Sequence, residues 1–220
     1  MYRVRVTYTK SKEAAFIPEK DLAKVIETAM TRAGIYIVYT KDNEPDIEFA
    51  DHISLGIEST CEICDIKIKE HVEPAFMIKG LNRELPVGMV VLTAEYLSEE
   101  ASVISEAAYA VTYEIIPDLG DVTQMTNREF EDRRKWYRYK MEEYLSDAAI
   151  LVLVKSMDRS ERIDIKPAIL NYEMHINDAL RITISKNTQY IFNPNYIMDG
   201  FKEFVNENID YVIRRTKILF

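Results

Sequence analysis

The chain has 220 residues and a mass of 25.6 kDa, with 47% hydrophobic residues, 30% charged residues and a formal net charge of −9. This composition excludes an intrinsically disordered chain, a collagen-like repeat and a small disulfide-stapled protein. No apolar run reaches the ~20 residues that a membrane-spanning helix needs, so no membrane association is expected. The only cysteines are Cys61 and Cys64, which is typical of a reducing compartment and predicts a cytoplasmic protein.

The first half of the chain predicts the order strand, helix, strands, helix, strand. Residues 2–9 alternate between apolar and polar side chains, as in a half-buried strand. A helix follows from Pro18, because its apolar residues recur at spacings of three and four, and Gly34 is suited to end it. The other predicted elements are strands at 35–39, 47–53 and 61–69, a helix at 73–84 and a strand at 89–96.

The second half predicts the same order. It contains a strand at 107–116, a long helix capped by Asn127 and ending near Leu145, and a buried strand at 150–155. Strands at 163–169 and 180–185, a helix at 194–206 and a strand at 211–220 complete it. We therefore predict an α+β protein of two tandem ferredoxin-like (split βαβ) domains, at 1–102 and 106–220. Each would have an antiparallel sheet with helices packed on one face.

Several short motifs occur in an order that resembles the radical-SAM-linked protein family over nearly the whole chain. No motif is specific alone, and it is their succession that carries the resemblance. Before the first helix the family has Ser-His-Leu-Asp where this chain has Pro18-Glu19-Lys20-Asp21, and the family's basic, His-containing loop is replaced by residues 41–46. The matching runs are 2–10, 16–22, 32–35, 45–49, 55–59, 62–66, 162–167 and 214–217.

The resemblance implies a protein that works with a radical SAM protein, encoded beside it or fused to it, in a family without an assigned activity. It also implies a role around RNA modification or ribosome assembly. The candidate binding residues within the matching motifs are Asp21, Glu58, Glu62, Asp65, Asp164 and Arg215. For the four carboxylates Asp21, Glu58, Glu62 and Asp65, two interpretations stay open: solvated charges with one helix-terminal residue, or a polar cleft that recognises a partner or a cation.

Cys61 and Cys64 form a Cys-x-x-Cys motif, a spacing that can indicate a metal site or a redox site. A tetrahedral zinc site needs four ligands, and the sequence has no second pair of this kind. Residues i and i+3 of a strand also point to opposite faces. An iron–sulfur cluster normally takes four thiolates. We therefore predict no metal and no cofactor.

The predicted helix over 127–145 contains a basic and aromatic run at 133–140. The pattern predicts an apolar stripe on one side and an exposed Trp136 and Tyr139 on the other, flanked by Lys135 and Lys140. Exposed aromatic rings among cations suit base stacking on RNA or a protein hot spot. The alternative is that Trp136 packs under a loop or a neighbouring domain. The apolar stripe comprises Phe130, Tyr137, Met141 and Tyr144.

The sequence contains no phosphate-binding glycine loop, nucleophile elbow or zinc-protease helix, so we do not predict an enzyme acting alone. The first hypothesis is a non-catalytic accessory protein that works with a radical SAM partner. The second is an RNA-binding or RNA-processing enzyme built on tandem ferredoxin-like domains, which rests on analogy of fold. The third is a structural, dimerising protein. Catalytic residues and the oligomeric state are left unassigned.

Overall fold

The structure is a computed structural model that describes residues 1–120, 123–155, 160–186 and 192–220. The chain divides into two compact units. The first unit comprises Met1–Tyr109 together with Arg215–Phe220, and the second comprises Ala110–Arg214. These units differ from the predicted ranges 1–102 and 106–220 mainly at the end of the chain, which belongs to the first unit.

The first unit has the element order strand, helix, strand, strand, helix, strand, and a short helix follows. Its strands are ordered β4-β1-β3, β2 also pairs with β3, and all of these pairs are antiparallel. A 3₁₀ turn at Lys12–Phe16 joins the first strand to the first helix. The elements are β1 (Tyr2–Lys10), α1 (Glu19–Arg32), β2 (Ile47–Phe49), β3 (Glu58–Ile68), α2 (Pro74–Glu84), β4 (Met89–Tyr96) and α3 (Ile104–Ala107).

The hydrophobic core of the first unit lies between its sheet and helices α1 and α2. The alternation in β1 sends Val4, Val6 and Tyr8 to this core, as the sequence pattern predicts. Helix α1 contributes residues at helical spacing, including Leu22, Ile26 and Met30. Pro18 occupies the N-cap of α1, and Gly34 adopts a φ of +76° directly after its end, a conformation that favours glycine.

The second unit contains the longer helix and a separate hairpin. Its main strands are ordered β10-β5-β9-β8, while β6 and β7 form a two-stranded sheet. A 3₁₀ turn at Lys166–Ala168 lies between β7 and β8. The elements are β5 (Ala110–Pro117), α4 (Asn127–Ser146), β6 (Leu151–Lys155), β7 (Ser160–Asp164), β8 (Ile169–Met174), β9 (Leu180–Ser185), α5 (Asn195–Val205) and β10 (Tyr211–Leu219).

The last strand, β10, contributes residues to both units. Tyr211–Arg214 belong to the second unit, whereas the residues from Arg215 onward belong to the first. The expectation of two independent sheets is therefore wrong, because β10 pairs with β3 and also with β5. The fold class is α+β, with mostly antiparallel strands. Within the described ranges, no helix is long and apolar enough to cross a membrane.

Three predicted elements differ from the structure. Residues 35–39 form two isolated bridges, at Ile37 and Tyr39, in place of a strand. The strand at 150–155 is not fully buried: Leu151 and Leu153 are exposed while Val152 is buried, so only one face of β6 is covered. The strand predicted at 163–169 is replaced by β7, a 3₁₀ turn and then β8, which the sequence pattern missed.

The N-cap of α4 is Thr126, and not Asn127 as predicted. The Thr126 hydroxyl accepts a hydrogen bond from the Glu129 amide at 3.2 Å, and the Glu129 carboxylate accepts one from the Thr126 amide at 2.8 Å. The two residues form a capping box, which satisfies two backbone donors at once. The sequence Thr-x-x-Glu at 126–129 carries this signal.

We expect Thr126→Ala to lower the free energy of unfolding by about 1 kcal/mol, because it removes the capping hydroxyl. Asn127→Ala is the matched control and should change it by less than about 0.5 kcal/mol. Urea denaturation followed by circular dichroism measures both variants. A larger loss in Asn127→Ala than in Thr126→Ala would contradict the assignment of the cap.

Candidate functional site

A buried network of charged groups lies in the first unit around Arg215, the first residue of β10 that belongs to this unit. Its side chain is fully buried. One guanidinium nitrogen donates to Glu62 of β3 at 3.1 Å, and the other donates to Asp51 at 2.8 Å and to the carbonyl oxygen of His52. Glu62 is itself only 2% exposed. Two residues from distant motifs, Glu62 and Arg215, are therefore brought into direct contact.

Two further polar groups on β1 are buried in the same region. Lys10 is 1% exposed, and its ammonium group donates to the carbonyl oxygen of Ala15 at 3.1 Å. Burial lowers the pKa of Lys10, while the negative charge of Glu62 opposes this change. Tyr8 faces Glu62 across the β1–β3 pair, and burial raises the pKa of its phenol. Within the described residues, the Tyr8 hydroxyl has no hydrogen-bond partner.

The network places two cations, Arg215 and Lys10, near two carboxylates, Glu62 and Asp51, in a largely buried region. Removing charges from water is costly, and this cost is offset only by close ion pairs with further hydrogen bonds. Arg215 has this arrangement, because two carboxylates and one carbonyl oxygen accept from its guanidinium. The network therefore fixes the end of the chain to β3 and to the loop that contains Asp51.

Asp65 forms a second ion cluster, and its side chain is also buried. Arg3 and Arg5 of the neighbouring strand β1 both donate to it, at 3.0 Å and 2.8 Å. The hydrogen bond to Asp65 raises the pKa of Arg5. Because residues i and i+3 of a strand point to opposite faces, β3 places Asp65 and Glu62 in different surroundings. Asp65 thus holds β1 to β3.

The four candidate carboxylates are not gathered into one cleft. Glu62 and Asp65 belong to the two separate ion clusters. Glu58 accepts a hydrogen bond from the backbone amide of Lys12 at 3.1 Å. Asp21 is exposed in the first turn of α1, where a negative charge stabilises the helix dipole. Glu62 and Asp65 are therefore paired within the fold, and recognition of a partner or a cation by members of this set stays a prediction.

The two cysteines lie in different apolar surroundings. Cys64 is fully buried in the core of the first unit, while Cys61 is half-buried and packs against a smaller cluster that contains Ile104 and Ile218. Burial raises the pKa of Cys61 to about 11 and raises that of Cys64 further. Among the residues that the structure describes, no three His, Cys, Asp or Glu side chains are arranged to hold a metal ion.

The basic and aromatic run of α4 is arranged partly as predicted. Tyr137, Met141 and Tyr144 are buried, and Tyr139 is 65% exposed. Trp136 is half-buried, because the guanidinium of Arg133 lies over its ring, 4.4 Å from the ring centre. Trp136 is therefore only partly exposed, whereas the sequence pattern predicts an exposed side chain. Lys135 is exposed, and Lys140 forms an ion pair with Glu143 at 2.8 Å.

The arginines of α4 bind carboxylates and carbonyl groups within the second unit. Arg133 donates to Glu207 at 3.0 Å. Arg134 and Arg138 both donate to Asp178, which is 4% exposed, and they also donate to carbonyl oxygens of the β8–β9 turn. Sequence reasoning missed Asp178, although an Asn-Asp pair between two strands is a turn signal. These arginines hold a turn within the second unit.

Asp164 lies at the end of β7 and acts on the backbone. Its carboxylate accepts from the amide of Ile150 at 2.8 Å and from the amide of Lys166 at 3.0 Å. These bonds join the start of the β6–β7 hairpin to the 3₁₀ turn that follows it. Both hydrogen bonds therefore stabilise the backbone of the second unit.

We expect Arg215→Met to destabilise the protein by about 3–5 kcal/mol, because the buried carboxylate of Glu62 and the partly buried carboxylate of Asp51 lose their cation. The double variant Glu62→Met with Arg215→Met should lose less than the sum of the two single variants. Arg128→Met is the control: this arginine is 92% exposed, its nearest carboxylate is 4.0 Å away, and its removal should cost less than about 0.5 kcal/mol. Chemical denaturation measures all four variants, and strict additivity would contradict the ion pair.

We expect both thiols to react slowly with Ellman's reagent in the folded protein, because the raised pKa values leave little thiolate. With a pKa of about 11, Cys61 should react faster as the pH rises from 7 to 10, and faster than Cys64 at each pH. In urea both should react at the rate of a free cysteine. Fast native reaction at pH 7 would contradict the burial of these groups.

Comparisons with known proteins identify a family. A family profile described as "Uncharacterized protein conserved in bacteria (DUF2344)" matches residues 3–194. No match was found among the curated proteins.

Among solved structures, an unknown protein from Galdieria sulphuraria is 9% identical, with 97% of this chain and 98% of that chain covered and a TM-score of 0.30. A putative glycine cleavage system transcriptional repressor is 9% identical, with the same coverage and a TM-score of 0.26. At these TM-scores neither likeness bears on the fold or the function of this chain. The family match covers most of the sequence, and the chain belongs to the bacterial family DUF2344.

Proposed function

We propose that this chain is a non-catalytic, cytoplasmic accessory protein that binds a radical SAM enzyme. The proposal rests on the structural role of the motif residues in the first unit. Glu62, Asp65 and Arg215 lie in the motifs that resemble the radical-SAM-linked family, and all three are buried in ion pairs that join strands. These motifs therefore build a scaffold, and a scaffold acts through its surface.

Exposed apolar side chains on the same unit support a protein partner. Phe16 is 66% exposed, Leu55 is 61% exposed and Val87 is 75% exposed. The segments that carry Phe16 and Leu55 are held together, because the amide of Gly56 donates a backbone hydrogen bond to the carbonyl oxygen of Ala15 at 3.0 Å. Apolar side chains that cluster on a surface favour association with another protein.

The electrostatics of α4 favour a protein partner over RNA. Binding to a phosphate backbone requires cations that are free to replace counterions. Arg133, Arg134 and Arg138 are instead paired with Glu207 and Asp178. The net charge of −9 also opposes a polyanion.

The fold proposed for this scaffold is a tandem of two ferredoxin-like units. In the first unit the order β1-α1-β2-β3-α2-β4 matches the split βαβ plan. In the second unit β5, α4, β8, β9, α5 and β10 follow the same order, with the β6–β7 hairpin inserted after α4. In the first unit β1 lies between β4 and β3, and in the second unit β5 lies between β10 and β9. In both units the first strand therefore lies between the fourth and the third.

We expect this chain to bind a purified, cluster-reconstituted radical SAM protein from the same genome with a Kd in the micromolar range or tighter, measured by isothermal titration calorimetry. The control is an unrelated radical SAM protein, which should not bind. Single-stranded RNA is titrated in parallel at low and high salt. The absence of binding to every radical SAM protein of the genome, or salt-dependent RNA binding that is lost in Lys135→Ala/Lys140→Ala, would contradict the proposal.

A further inference from the structure

A side chain occupies the outer edge of the sheet in the first unit. Strand β4 is the last strand of this sheet and pairs with β1 on one side, so its other edge faces away from the sheet. Asn82, in the last turn of α2, reaches β4 at Val91. The side-chain nitrogen of Asn82 donates to the Val91 carbonyl oxygen at 3.0 Å, and the Val91 amide donates to the side-chain oxygen of Asn82 at 2.6 Å.

These two hydrogen bonds are equivalent to those of a neighbouring strand. In an antiparallel ladder, a residue exchanges both its N–H and its C=O bond with one partner residue, so both groups point to the same side. The primary amide of Asn82 supplies one donor and one acceptor in the same way. Because Asn82 binds both groups of Val91, they point away from Tyr8, the residue opposite Val91 on β1. The outer edge of β4 is therefore blocked at Val91.

The composition of β4 is typical of a strand that associates with other chains. Its eight residues include no lysine, arginine, proline or glycine, and Glu95 is the only charged residue among them. Val90 is 46% exposed and Leu92 is 48% exposed. An apolar edge strand of this kind is a template for pairing with another chain unless charges, bulges or a covering group protect it. Asn82 is such a covering group.

The side-chain pattern of β4 fits pairing with a second copy of itself. Val91 and Ala94 both pack in the core although they are three positions apart, because Leu92 is an extra residue opposite β1. Opposite residues of an antiparallel pair lie on the same face of the sheet. Two copies related by a two-fold axis therefore match when Val91 of each lies opposite Ala94 of the other. In this register Val90 lies opposite Glu95, so no like charges are directly opposed.

We propose that Asn82 is an autoinhibitory contact that prevents β4 from pairing with the β4 strand of a second copy of this chain. Asn82 binds the same backbone groups of Val91 that the second strand would use. The contact is intramolecular, so it forms without the loss of translational and rotational freedom that association entails. Self-association through β4 is separate from binding to a radical SAM enzyme, and either can hold without the other.

Asn82→Ala tests the proposal, because it removes both hydrogen bonds and adds no large apolar side chain. Light scattering over a range of concentrations should show that this variant dimerises at concentrations at least about tenfold below any at which the wild type does. Asn127→Ala, which replaces an exposed asparagine on α4, is the matched control and should behave as the wild type. An Asn82→Ala variant that folds and associates no more than the wild type would overturn the proposal.

Hydrogen exchange and a second substitution locate the association. Residues 89–96 of Asn82→Ala should gain protection as its concentration rises. Leu92→Lys, added to Asn82→Ala, should restore the association state of the wild type, because a lysine on an edge strand opposes pairing. Association that protects a different segment, or that persists in the double variant, would mean that Asn82 does not act on β4.

The wild-type protein provides a measurement that does not depend on the folding of a variant. At concentrations where light scattering shows no association, the Val91 amide should exchange at least about tenfold more slowly than an amide without a hydrogen bond. Fast exchange of this amide overturns the proposal. So does wild-type protein whose residues 89–96 gain protection with concentration, since β4 would then pair while Asn82 is present.

Discussion

The first unit depends on the burial of Arg215. A guanidinium removed from solvent needs close acceptors, and here Glu62, Asp51 and the carbonyl oxygen of His52 accept from its two terminal nitrogens. Because Arg215 lies near the end of the chain and Glu62 lies in β3, this contact joins residues 153 positions apart. The first unit is therefore complete only after the chain has passed through the second and returned.

The same principle governs the second unit, where one carboxylate organises a turn. Asp178 is buried with a φ of +64°, a left-handed conformation that aspartate tolerates better than most residues. Arg134 and Arg138 of α4 neutralise it and also bind the carbonyl groups of the turn. The basic run of α4, which by composition resembles a nucleic-acid surface, thus contributes to the internal structure of this unit.

Some charged and apolar side chains lie outside these two networks and remain exposed. In the first unit the motif carboxylates Glu62 and Asp65 are committed to arginines. Asp21, by contrast, stays exposed in the first turn of α1. A surface that combines exposed apolar side chains with unpaired charge is suited to a protein interface, where apolar contacts supply affinity and charges supply orientation.

Local sequence patterns determined most of the helices and strands, because period and capping residues act over a few positions. The alternation in β1 and the helix from Pro18 to Gly34 are of this kind. What only the tertiary structure decided were pairings between distant residues: Arg215 with Glu62, Asp178 with α4, and the partial burial of Trp136 under Arg133. No local pattern specifies such pairs, since burial and strand neighbours determine which charges meet. The exposure of Leu151 and Leu153 follows the same reasoning, because tertiary packing covers only the face of β6 that carries Val152.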